Sequence, residues 1–291
     1  MAAVKLSPAL KALIASPHAQ GGALPAPPRA AVTKLFERLA SSAKENGLGE
    51  ATWLTLGSAA LVTLNSPATL CELHSFATSR LQLQGEERTK KAAEYAAVMR
   101  EAGLKSISFS GIPRAINNLG ALRAHLEPEV AALLSAAPTR QPTPSSLPSV
   151  LSSASTLWTS IYAPHATKLL AKLAQSHPDL PVHILSSHYG ALLSDPFAAA
   201  PAGHAKVGRV LTSVVAIACL RAQGGVGPQV TSHVFGLRKA GEERPDEGED
   251  VPGREWLTSE AGAQWVLEQV DALVELVSGG RGASFATRAK L

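Results

Sequence analysis

His233 and Gln229 stand one helical turn apart, in Pro228-Gln229-Val230-Thr231-Ser232-His233. Side chains four residues apart project from the same face of a helix. An imidazole ordinarily titrates near pH 6.5, so it can carry a proton in neutral solution. The amide can hold a substrate or the ring itself. The plainer alternative for His233 is a buried histidine hydrogen-bonded to backbone. His74 follows Cys71 by three residues in Cys71-Glu72-Leu73-His74. Two ligands on one turn make no metal site without others, and no metal is expected. His183 and His188 are five residues apart; on an α-helix that spacing makes them diverge, and they read as ordinary polar positions. Gly224-Gly225-Val226-Gly227 lacks the Lys-Ser/Thr that would make it a phosphate loop, and a helix-helix turn is expected there. No G-x-S-x-G elbow for serine hydrolysis occurs.

The elements that position these residues are helical. Val32, Leu35, Phe36 and Leu39 form one apolar stripe, and Val207, Val210, Leu211, Val214, Val215 and Ala218 a stronger one. A third helix is expected from about Glu86 to Ala102, and a fourth after Pro113 through Ile116, Leu119 and Leu122. The last should span Thr258 to Val277 and stop at Gly279-Gly280. Ser106-Ile107-Ser108-Phe109 alternates like a strand but is too short to build a sheet. The expected class is all-α.

The Pro- and Ser-rich stretch 136–156 cannot continue a helix and divides the chain. This gives an N-terminal extension (1–28), a first helical half (29–135), the linker, a second half (157–278) and a tail (279–291). The acid-rich run 241–253 reads as a solvated loop without the spaced ligands of a calcium site. Placing His74 on His233 puts Phe76 near Phe235 in register, a faint repeat that suggests duplication of one helical unit.

Composition narrows the classes. The formal charge is +4, but the basic residues are scattered and aromatics are only 4%, which disfavours a nucleic-acid partner. No apolar run approaches the roughly 20 residues of a membrane helix, so no membrane insertion is expected. Two cysteines, Cys71 and Cys219, read as free thiols of a reducing or neutral compartment. Prolines 17, 25, 27 and 28 break up the N-terminal region, which lacks a secretory h-region. The chain finishes Ala289-Lys290-Leu291, a conservative variant of the S-K-L peroxisomal address, so import receptor binding and a place in the peroxisome matrix are expected.

Ala216 to Gly236, AIACLRAQGGVGPQVTSHVFG, resembles the core motif of the carboxymuconolactone decarboxylase family: an apolar helix, a glycine-containing break and a P-Q-L-x-S-H-x-x-G-like helix start. Trp158 to Tyr162, His177 to Leu180 and Tyr189 to Leu193 are similar to its lead-in helices, and Gly111-Ile112-Pro113-Arg114 to its closing segment. The resemblance implies an alkylhydroperoxidase D-like helical bundle of two related halves, working without a cofactor. The peroxidase branch carries C-x-x-C-x-x-x-H, but positions 67, 70, 226 and 229 here are Pro, Leu, Val and Gln. Cys71 is one residue out of register, about 100° away around a helix. Thiol-disulfide cycling needs two sulfurs within reach, so peroxidase activity is not expected.

What the resemblance then implies is a lyase or isomerase acting on a carboxylic acid or acyl-linked metabolite. Such chemistry needs an anchor for the carboxylate, a donor for the developing enolate and a proton carrier. His233 and Gln229 would be catalytic, with Arg209, Ser232, Arg114 and His74 binding substrate. The rival expectation is a catalytically silent helical scaffold of a peroxisomal pathway. A homo-oligomer, dimer first, is expected, with its interface on the apolar helices 207–218 or 265–277.

Overall fold

The computed structural model of the chain describes residues 4–16, 23–244 and 248–280. Within these residues the protein is all-α, without a strand. The first half holds α1 (Pro8–Ile14), α2 (Arg29–Glu45), α3 (Glu50–Thr63), α4 (Pro67–Ser79), α5 (Gly85–Lys105), α6 (Ile107–Ser110), α7 (Ile112–His125) and α8 (Pro128–Ala132). Then come α9 (Leu147–Tyr162), α10 (Ala166–Ser176), α11 (Asp179–His183) and a π-helix (Ile184–Leu193). The chain continues with α12 (Arg209–Gln223), α13 (Gly227–Ala240), α14 (Arg254–Leu257) and α15 (Glu260–Ser278). No helix among the described residues is long and apolar enough to cross a membrane.

The periodic segments form the helices their stripes demand. In α2, Val32, Leu35, Phe36 and Leu39 all turn inward. Ser259 caps α15 by accepting from the Gly262 N–H, and Gly279, left-handed at φ 60°, ends it. α3 and α12 differ from the rest: Thr52 to Thr63 of α3 are buried without interruption, and so is α12 from Arg209 to Leu220. These two helices pack against one another at the centre. α5 and α4 cover α3, α13 covers α12, and α15 contacts both α3 and α12. One apolar core therefore runs through both halves, from Val32 to Val277. Each fully buried Leu or Phe in it contributes about 1.5–3 kcal/mol. A smaller core unites α9 with the π-helix through Ala154, Trp158, Ile161, Tyr189 and Leu193.

Four expectations are corrected. The Pro/Ser-rich linker ends near residue 146, because α9 begins at Leu147 with Pro148 in its first turn, where a missing N–H costs nothing. Ser106 to Phe109 builds no sheet, as expected: Ile107 begins the single turn α6. The acid-rich run is not simply solvated: Glu249 Oε1 accepts the N–H groups of Val210 (3.0 Å) and Leu211 (3.4 Å), capping α12 from outside. His183 and His188 meet edge to face at 5.2 Å, because a π-helix winds more residues per turn and brings positions five apart together. Finally, the apolar helices assigned to an oligomer interface are spent on the chain's own core: α12 is enclosed, and Trp265, Val266, Val270, Leu273 and Val277 of α15 are buried.

Candidate functional site

The polar centre of the second half is assembled from four elements. On α9, Trp158 and Tyr162 lie four residues apart, with ring centroids 4.2 Å apart and planes tilted by 40°. The π-helix delivers Tyr189 beneath them, 4.9 Å from the Trp158 ring. This needs close approach, since a Cβ on Gly190 would sit 2.8 Å from the Val150 carbonyl of α9. α13 supplies His233, and α6 supplies Phe109, whose ring meets the imidazole edge to face at 5.6 Å.

These side chains form a hydrogen-bonded relay. Tyr189 and Tyr162 hydroxyls are 2.9 Å apart, and Tyr162 Oη is 3.3 Å from His233 Nε2. Among the described residues, His233 Nδ1 is buried without a hydrogen-bond partner. The less costly arrangement has Nε2–H donating to Tyr162, Tyr162 donating to Tyr189, and Nδ1 left as a bare acceptor. The reverse would strand an N–H, which folded proteins tolerate less. Burial, with the Arg209 charge adding to it, pushes the His233 pKa down to about 4. The ring is neutral at pH 7. Burial likewise raises the phenols of Tyr162 and, more strongly, Tyr189. The relay can hold a proton in place, yet His233 is only 4% exposed.

The remaining predicted site residues do not converge on it. Gln229, expected beside His233, is exposed on α13, and the Ser232 hydroxyl turns back to the Pro228 carbonyl at 3.0 Å. The break before α13 leaves Gln229 in the helix's outer first turn, while Ser232 lies one residue before His233 and only His233 of the three is buried. Arg209, expected to anchor a carboxylate, is tied to the protein itself. It donates to the hydroxyls of Ser160 and Ser213 and to the Gly236 carbonyl (2.9 Å), and pairs with Glu243 at 3.4 Å. Arg114 is half-buried at the start of α7, in the other half. His74 is buried on α4 with Nε2 3.1 Å from the Ala92 carbonyl of α5. Burial lowers its pKa, partly opposed by that backbone bond. Ala289, Lys290 and Leu291 lie outside the described residues.

The thiols are far from reactive. Burial pushes Cys71 and Cys219 up to about 11, so both stay protonated at neutral pH. Among the described residues no cluster of three or more His, Cys, Asp or Glu side chains suits a metal ion.

A buried charge centre that the sequence did not reveal lies at the end of α5. Lys105 is fully buried, and its Nζ donates to the carbonyls of Leu193 (2.6 Å) and Val207 (2.6 Å) and to Thr212 Oγ1 (3.0 Å). Asp195 Oδ1 lies 3.1 Å away. Burial pushes the lysine pKa down while Asp195 and Glu101 oppose it; burial pushes Asp195 up while Lys105 opposes that. With three donors aimed at three acceptors and a carboxylate alongside, the ammonium form fits this geometry. Nearby Arg140 closes the group by pairing with Glu101. Trp158 and Tyr162 could have been grouped from their four-residue spacing. Lys105 and Asp195, 90 positions apart, carry no local signal.

Set against known proteins, the chain matches no family model, no curated protein and no solved structure.

Proposed function

We propose that this chain is a peroxisomal, carboxymuconolactone-decarboxylase-like protein of the alkylhydroperoxidase D-like type, acting as a catalytically silent helical scaffold. In this reading its two halves descend from one duplicated unit and it assembles as a homodimer. The observation that carries the reading is the fate of the motif pair: His233 is sealed beneath Phe109 and Tyr162, while Gln229 faces solvent. A proton carrier must lie within hydrogen-bond reach of its substrate, and an imidazole with a pKa near 4 is a weak base. The engaged guanidinium of Arg209 points the same way, because a carboxylate would have to displace Ser160, Ser213 and Gly236 from it. The dimer interface then falls on exposed apolar side chains outside the core, such as Ile112, Ile116 and Phe235.

A second reading, a cofactor-independent lyase or isomerase on a carboxylic or acyl-linked acid, draws on the Tyr189–Tyr162–His233 relay and the unpartnered Nδ1. Tyr162→Phe separates the two. It keeps the aromatic ring and removes the hydroxyl on which the relay depends. In a strain lacking the protein, untargeted metabolite profiling should show Tyr162→Phe restoring the wild-type profile as fully as the unaltered chain. A folded Tyr162→Phe protein that leaves the deletion profile unchanged would favour the lyase.

A further inference from the structure

A cleft of about 740 Å³ opens between α5, α7, residues 135–141 and the turn at 203–205. Pockets of roughly 300–1,000 Å³ suit small organic ligands. Its apolar lining comes from Ala97 and Leu104 of α5, Leu119 of α7, and Ala136, Ala137 and Pro138. The opposite character is concentrated in three arginines, Arg100, Arg123 and Arg140. Only one acid, Glu101, lines the cleft, and it is already engaged by both terminal nitrogens of Arg140. Arg100 gives one hydrogen bond, to the Ser135 carbonyl at 3.2 Å, and has no carboxylate partner among the described residues. Arg123 is exposed on the last turn of α7 and is in no ion pair among the described residues.

Three guanidinium groups thus share a concave site with a single carboxylate, Glu101, which Arg140 already engages. Burial pushes Arg100 below its ordinary pKa; Glu101 opposes this in part, and the Arg123 charge adds to it. Like charges held together with only partial compensation cost stability, and a bound anion relieves that cost. The floor of the cleft is also fixed in advance. Ser135 N–H donates to the Gly203 carbonyl at 3.1 Å. Gly203 is left-handed at φ 73°, and a Cβ there would lie 2.4 Å from Ser135 N, so only glycine permits the crossing. A preformed site loses less affinity to ordering.

We infer that this cleft binds a small amphiphilic acid, its anionic head held by Arg100 and Arg123 and its carbon chain laid along Ala97, Leu104 and Leu119. Guanidinium forks match a carboxylate in geometry and charge, and the apolar lining calls for a body that inorganic anions lack. No residue of the His233 relay takes part, so the site stands whichever reading of that centre holds.

The test is calorimetric titration of the full chain with decanoate and, separately, with inorganic phosphate. Decanoate should bind, and phosphate should bind more weakly. Arg123→Gln should lower decanoate affinity at least about tenfold, the effect of losing one charge-assisted hydrogen bond. Arg123→Lys should keep part of it. Arg123 is exposed on the helix surface, so its replacement leaves the core untouched; circular dichroism checks this. No decanoate binding to the wild type at millimolar concentration would overturn the proposal. So would equal affinity in Arg123→Gln, and so would phosphate binding as tightly as decanoate, which would mark a plain anion site.

Discussion

The helix pairs α3–α4 and α12–α13 look alike in outline but are held by different means. In each, a fully buried helix is followed by a short break and a second helix carrying an inward histidine. In the first pair that histidine bonds to backbone, the Ala92 carbonyl of the next helix. In the second it bonds to a tyrosine brought in by α9, which a π-helix tyrosine supports in turn. The first pair encloses only neutral side chains along α3, whereas α12 starts with buried Arg209 and receives Lys105 at Thr212. One pair is stabilised largely by apolar burial. The other depends on polar partners supplied from distant parts of the chain, and should be the more sensitive to single changes and to acid.

The largest expected effect tests that dependence at Lys105. Lys105→Met leaves Asp195 buried beside an apolar side chain and frees the Leu193 and Val207 carbonyls. Removing one partner of a buried pair costs about 3–5 kcal/mol, which urea unfolding at pH 7 would measure. A loss below about 1 kcal/mol would break the contrast between the two pairs.

Acid sharpens it next. His233 has a folded pKa near 4 against 6.5 when unfolded, so the unfolded chain binds the extra proton between those values. Stability should therefore be complete above pH 6.5 and fall by roughly 3 kcal/mol as the pH drops to 4. His74 is shifted in the same direction and adds to the fall. Unfolding curves across this range for His233→Leu and His74→Leu should show the larger loss of pH dependence in the former. Equal losses would mean that the two histidines are held alike.

The smallest effect is at Gln229. Exposed and one turn outside the relay, it should tolerate Gln229→Ala within about 0.5 kcal/mol. A larger cost, seen in the same urea assay, would put its amide back beside the imidazole.

Much of the fold could be read from periodicity, because α2, α5, α12 and α15 each repeat apolar residues at helical spacing, and α12 and α15 end on glycines of positive φ. α9 was hidden because Pro148 looked like a breaker, although in a first turn proline is harmless. The π-helix was invisible because its side chains were placed with α-helical spacing, which sent His183 and His188 apart. Of the candidate site, His233 was legible as an inward histidine. Its partners were not, since Tyr162 and Tyr189 come from segments 71 and 44 residues earlier. Gln229 shares the helix face of His233 by spacing, but the first turn of α13 projects beyond the core and leaves the amide exposed.

The pairing of α3 with α12 bears on how the molecule comes apart. Each belongs to a different half, and each is enclosed on every side, the other being part of that enclosure. Separating the halves would bare two long apolar surfaces at once, a penalty no local opening can avoid. Sub-global unfolding should thus be confined to the periphery, α1 and the segments around α10, while the central pair opens only with the whole chain. The halves behave as one cooperative unit. A chain nicked between α8 and α9 would be two fragments covalently but one body thermodynamically.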